Sequence, residues 1–276
     1  MSPKPEAILQ KRQQLKGKPM TIAAGLHCRE GVLLFADTNV VLSDGARQQG
    51  RKISTDRNQF GYFGVANATE DGNAAQTLVN KIVRDLVKNE PTSYEEVENA
   101  IVDRMTTWVN AYSRQKPPDV SLVFASSFFK KPRLYLCQPP ATIIEKTPYA
   151  SAGTGARVTD PMAETIIVHN DVPLRVRLWQ IAYLSYCAKK NDAFCGGETH
   201  VIFLPTDEIG RYVYTYSMKQ AESLGEHMDT YLRSTLWNIL SAENDDELQK
   251  LQRDATDMMR LNLGVIAKLH FKTGLL

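Results

Sequence analysis

The sequence predicts an α+β fold, whose pattern two helical layers enclosing two stacked sheets would fit. Strand-like runs come in groups joined by short turns, and helical runs arrive in pairs. Along the chain the order is strands, two helices, strands, two helices, strands, helix. Strands that pair locally and helices that arrive together build layers, whereas a parallel sheet needs a helix after nearly every strand.

The chain opens on a basic, proline-bearing segment, residues 1–19, read as an extended leader; without an apolar stretch it is not a secretory signal. Thr21–Cys28 (TIAAGLHC) and Val32–Asp37 (VLLFAD) are apolar strands joined by the turn Arg29-Glu30-Gly31, a hairpin. Residues 43–51 are polar and glycine-bearing, hence loop. Phe60–Ala66 is a buried strand.

From Thr69 to Asn89 apolar residues recur at helical spacing (Ala74, Leu78, Ile82, Leu86). A second helix runs from Ser93 to about Gln115. Thr92 or Ser93 caps it, Glu95 and Glu96 suit its first turn, and Val97, Ile101, Met105 and Trp108 form one apolar stripe.

Strands return over 120–126, 133–137, 141–145 and 149–152, punctuated by Pro117-Pro118 and Pro139-Pro140. Helices follow over about 157–168 and 174–189, then strands over 200–204 and 212–216. Helical patterns fill 217–240 and 245–269. The expected plan is a leader or mis-annotated start (1–20), a main domain (21–240) and a C-terminal helical extension (241–276). That extension serves as an oligomer contact, as a cap, or as a helix packed on its own subunit.

Composition narrows the function. The 276 residues are 43% hydrophobic and 23% charged, ordinary for a globular protein. With 33 basic against 31 acidic residues, the net charge of +2 gives no reason to expect nucleic acid or a membrane surface as partner. No run of about 18 apolar residues marks a membrane span. The four cysteines, Cys28, Cys137, Cys187 and Cys195, lack metal-site spacing and read as reduced thiols of a cytoplasmic protein.

The chemistry centres on Thr21. An internal threonine hydroxyl is a poor nucleophile because nothing removes its proton; at a chain's start its own α-amine can. Met20 precedes it. Alone, Thr21 is a β-former, Asp37 a strand-end turn residue and Lys52 a surface charge. In order along the chain stand Thr21-Ile22-Ala23-Ala24-Gly25, Gly31–Asp37, Arg51-Lys52-Ile53, Phe63–Asp71, Gly153-Thr154-Gly155 and Asn191–Gly197.

This ordered set resembles proteasome β-type subunits and their bacterial relatives, of the N-terminal-nucleophile hydrolase superfamily. The resemblance covers about residues 21–216 and implies a four-layer αββα sandwich. It puts Thr21 in the nucleophile position, Lys52 beside its hydroxyl, and Asp37 holding the lysine ammonium. Asp192, Thr154 and Cys195 match the group supporting the threonine amine, with Thr154 and Cys195 each where a serine is usual. Asn67 falls where a glycine donates a backbone N–H to the oxyanion. Val40, Val65 and Thr69 fall at the specificity pocket, which would be neutral and modest in size.

The resemblance further implies a threonine-type endopeptidase that degrades unfolded polypeptide inside a ring or spiral of its own copies, without cofactor or metal. Activity depends on exposing the Thr21 amine, by autocatalytic removal of residues 1–20 or by translation from Met20 and methionine removal. No motif identifies an ATPase unfoldase that would feed it. Two other readings share the fold: a catalytically inactive scaffold or gating subunit, and an amidohydrolase acting on a small amide.

Overall fold

A computed structural model describes residues 21–41, 47–69, 72–112, 117, 119–138, 140–167, 169, 171–206 and 214–217, with isolated positions between 223 and 257. The expected leader, Asp71 and most of the helical patterns beyond residue 217 lie outside the described residues.

Two five-stranded antiparallel sheets form the centre. In the first, β1 (Ala23–Cys28) and β2 (Gly31–Asp37) make the expected hairpin, closed by the two-residue loop Arg29-Glu30. Strand β10 (Tyr149–Ala152) flanks β1; β11 (Thr199–Pro205) and then β12 (Tyr214–Ser217) flank β2. The second sheet has the order β5 (Ile53–Asn58), β6 (Gly61–Thr69), β7 (Val120–Ser126), β8 (Arg133–Gln138), β9 (Thr142–Glu145).

The expected loop over 43–51 is part strand. β4 (Arg47–Gln49) pairs with β3 (Asn39–Val41) in a short ribbon, with Asn39 opposite Gln49. Strand β6 also runs further than expected, to Thr69 opposite Val120, because residues 66–69 complete the ladder with β7. Helix α1 (Gly72–Asn89) therefore starts later than Thr69.

Helix α2 (Tyr94–Ala111) begins as its sequence dictates: Ser93 accepts from Glu96 N, and Glu96 reaches back to Thr92 N. This is reciprocal capping of two orphan donors. Helices α3 (Ala156–Ile166) and α4 (Leu174–Asn191) form the other pair.

Alternation along the strands makes three cores. One strand face packs under α1 and α2 through Phe63, Val65, Leu78, Val97, Phe124 and neighbours. A face of the first sheet packs under α3 and α4 through Ile22, Leu26, Phe35, Ile181 and neighbours. Between the sheets lie Val32, Leu34, Val123, Leu134 and seven alanines: Ala23, Ala36, Ala66, Ala68, Ala125, Ala150 and Ala152. Small side chains let the sheets approach closely. A Cβ on Gly25 would stand 2.5 Å from Leu134 Cδ1. The layering is αββα, as expected.

Beyond β12, two described positions touch α4 of the same subunit. Gly225 lies against Tyr186, and Lys190 Nζ pairs with Asp229 Oδ2 at 2.9 Å. No helix among the described residues is long and apolar enough to cross a membrane.

Candidate active site

Thr21 sits just ahead of β1, Asp37 ends β2, and Lys52 stands just ahead of β5. The first two belong to one sheet and the third to the other, so the sandwich itself brings them together. All three are buried. The Thr21 hydroxyl donates to Asp37 Oδ1 and accepts from Lys52 Nζ. Lys52 Nζ also donates to Asp37 Oδ1 at 2.8 Å and to the Asn39 carbonyl.

Asp37 is the hub. Its Oδ1 accepts Ile22 N at 3.1 Å as well, and its Oδ2 accepts Gly196 N at 3.0 Å. A carboxylate needs such a shell of donors to stay charged away from water. Neither Ile22 N nor Gly196 N stands out in the sequence as a site group. Both act through backbone atoms, which residue type does not mark; so does the Asn39 carbonyl.

Burial pushes the Lys52 ammonium below its ordinary range; the charge and hydrogen bond of Asp37 pull it back up only in part. A lysine so placed gives up its proton more readily than in water. In its neutral form it can take the proton of the Thr21 hydroxyl.

The Gly153–Gly155 turn lies against the Thr21 backbone. Gly155 N donates to the Thr21 carbonyl at 3.1 Å. Gly153 has φ +94°, and a Cβ there would fall 2.1 Å from the Thr21 carbonyl oxygen. Between them, Thr154 carries a buried hydroxyl with no hydrogen-bond partner among the described residues.

Asp192 ends α4 and folds the next residues into a tight turn. Its Oδ1 accepts Phe194 N at 2.9 Å, and its Oδ2 lies 3.7 Å from Cys195 Sγ. Burial, with Asp37 and Asp192 nearby, pushes the Cys195 thiol up, so it stays protonated and unreactive. A Cβ on Gly155 would meet Cys195 Sγ at 2.7 Å, which places that sulfur at the Thr21 turn.

The Asn67 N–H donates to the Lys52 carbonyl at 3.0 Å, and its side-chain Nδ2 donates to the same oxygen at 2.9 Å. The backbone bond continues the β5–β6 ladder by one residue, so the N–H expected to face an oxyanion is here engaged by Lys52. Val65 is wholly buried in the core beneath α1 and α2. Val40 and Thr69 are half-buried, at β3 and at the end of β6. Among the described residues, no group of three His, Cys, Asp or Glu side chains gathers as for a metal.

Paired antiparallel sheets between two helical layers, with a threonine at the head of the first strand, define an N-terminal-nucleophile-hydrolase-like fold. The chain belongs to the proteasome subunit family, whose model matches residues 20–172. No curated protein matches it.

Solved structures of similar shape include Anbu proteins. Anbu (ancestral beta-subunit) from Yersinia bercovieri is 15% identical at a TM-score of 0.68, over 82% of this chain and 98% of that one. An Anbu mutant from Hyphomicrobium sp. strain MC1 is 16% identical at 0.68, over 79% and 99%. A structure described as the helical assembly of the Anbu complex from Pseudomonas aeruginosa is 15% identical at 0.65, over 78% and 95%.

Proposed function

We propose that this chain is a threonine-type endopeptidase of a self-compartmentalising, proteasome-like assembly, with Thr21 as nucleophile once residues 1–20 are removed. The observation that carries this reading is the Thr21 hydroxyl held between Asp37 Oδ1 and Lys52 Nζ, with the lysine lowered by burial. A scaffold has no use for a buried ion pair aimed at a threonine hydroxyl.

In the first half-reaction, Thr21 Oγ1 attacks the carbonyl carbon of a peptide bond. Its proton passes to Lys52 Nζ or to the freed Thr21 amine. The C–N bond breaks, the leaving amine takes that proton, and an ester to Thr21 remains. Water then adds to the ester carbonyl, gives up its proton along the same path, and releases the carboxylate product with Thr21 Oγ1 restored. Thr154 is the natural partner for the freed amine: its hydroxyl is buried beside the Thr21 turn and lacks a partner among the described residues.

Unfolded polypeptide in the cytoplasm is the proposed substrate, reached inside a ring or spiral of copies of this chain. The family and the assembled state of the Pseudomonas aeruginosa protein support self-association. One observation favours a second reading, an inactive scaffold or gating subunit: the Asn67 backbone N–H already donates to the Lys52 carbonyl, as does its side-chain Nδ2. Intact-mass measurement on protein from the native host separates the two. The peptidase reading expects a species starting at Thr21 whose hydrolysis of a fluorogenic peptide disappears in Thr21→Ala. A chain retaining residues 1–20, or a Thr21→Ala variant with unchanged turnover, would sink it.

A further inference from the structure

Residues 38–39 are zipped to residues 194–198 by four hydrogen bonds. Thr38 N donates to Glu198 O at 2.9 Å, and Glu198 N donates to Thr38 Oγ1 at 2.8 Å. Asn39 N donates to Gly196 O at 3.2 Å, and Asn39 Nδ2 donates to Phe194 O at 3.1 Å. Asn39 is buried, 7% exposed, at the first position of a strand, where asparagine is ordinarily disfavoured. Strand propensity does not account for it. Its inward amide bond does.

The two segments joined this way serve the same pair of charges. The Asn39 carbonyl accepts from Lys52 Nζ, and Gly196 N donates to Asp37 Oδ2. Asn39 therefore holds one end of the Lys52 ammonium and, through the 194–196 turn, one oxygen of Asp37. A loosened turn would let both groups drift. Displacements of about 1 Å at a catalytic group can cost about a hundredfold in rate.

We propose that the Asn39 side-chain amide is a positioning residue of the Thr21 site, fixing the carbonyl on which Lys52 Nζ rests by tying it to the 194–196 turn. The inference rests on the peptidase reading of Thr21. Three charged or titratable groups bear on Lys52: Asp37 from β2, Cys195 from the turn and Lys189 from α4. None is altered by substituting Asn39, so a change in the behaviour of Lys52 reports on its own seating.

The test is Asn39→Ala in the full chain, assayed on a fluorogenic peptide beside the wild type, with intact mass and a thermal melt recorded for each. A displaced carbonyl removes an acceptor from the ammonium and favours the neutral lysine. The expected result is kcat reduced by about tenfold or more with KM within about twofold. The ascending limb of kcat against pH should move to lower pH.

Where the alanine variant melts below the assay temperature, Asn39→Leu is read instead for kcat, since it keeps most of the volume, loses the donor and adds no charge. Wild-type activity with kcat unchanged in the variant, or with the loss confined to KM, would overturn this inference alone. So would a limb that stays in place in Asn39→Ala. An inert wild-type chain would overturn the peptidase reading and this inference together.

Discussion

Lys52 Nζ lies 2.8 Å from Asp37 Oδ1, with both side chains shut off from solvent, and the pair ties the two sheets together beside Thr21. Breaking a buried pair by removing one partner leaves an uncompensated charge, which costs about 3–5 kcal/mol. Asp37→Ala should therefore destabilise the protein by about that amount in urea denaturation, on top of abolishing hydrolysis. The double variant Asp37→Ala/Lys52→Met should recover part of the loss, because no stranded ammonium remains. Equal stability of the single and double variants would contradict the pairing.

The same lysine makes stability depend on pH in a definite sense. Burial lowers its pKa below the ordinary 10.5, ahead of the opposing pull of Asp37. The unfolded chain keeps the ordinary value. Between the lowered pKa and 10.5 the unfolded state therefore binds more protons than the folded state. Stability then rises with pH across that window, and the gain disappears as pH falls through the folded pKa. Urea midpoints of wild type minus Lys52→Met should climb as pH approaches 10.5. A flat difference would mean that Lys52 is not desolvated.

Thr154 separates the uncleaved chain from the chain that begins at Thr21. A buried hydroxyl with no partner costs about 1–3 kcal/mol of desolvation. Thr154→Val removes that penalty at nearly constant volume, so the chain retaining residues 1–20 should become more stable by up to that amount. On the peptidase reading, the hydroxyl gains the amine of the chain beginning at Thr21 as a partner. There the same substitution should lower kcat and give no gain in stability. Identical effects in both forms would refute the assignment.

Most of the architecture was legible because alternation and helical stripes are strong wherever both faces of an element meet a core. Strand β7 (VSLVFAS) and the stripe Val97, Ile101, Met105, Trp108 show this: every one of those residues is buried. Legibility ends at the edges. Strand β5 (ISTDRN) is a sheet edge with partly exposed polar residues, and β4 (RQQ) is short and polar, so neither has a periodic signal.

Side chains in the candidate site could be found from the order of motifs: Thr21, Asp37 and Lys52 come together in space. The rest of the site works through main-chain atoms, Gly196 N, Ile22 N and Asn39 O, whose role depends on turn geometry and not on residue type. The strand expected over Phe60–Ala66 stops short of Asn67, and residue type does not say that the Lys52 carbonyl claims its N–H.

Gly153 is the most exacting position in the turn that holds Thr21. Its φ of +94° is one that residues with a side chain rarely adopt. A Cβ there would fall 2.1 Å from the Thr21 carbonyl oxygen and 3.1 Å from Ala68 Cβ. The first obstacle is backbone and cannot rotate away, so Gly153→Ala must move either the turn or Thr21. Backbone strain of this kind costs about 1–3 kcal/mol. The carbonyl that would be displaced accepts the hydrogen bond from Gly155 N, and it belongs to the residue whose hydroxyl rests on Asp37 and Lys52. Gly153→Ala should thus lower stability by about 1–3 kcal/mol and cut kcat by about a hundredfold. Gly50→Ala serves as the control: its Cβ would meet only the Val40 side chain, at 2.7 Å for Cγ2, which can shift. Equal kinetics for the two variants would show that the Thr21 backbone is not held by the Gly153 turn.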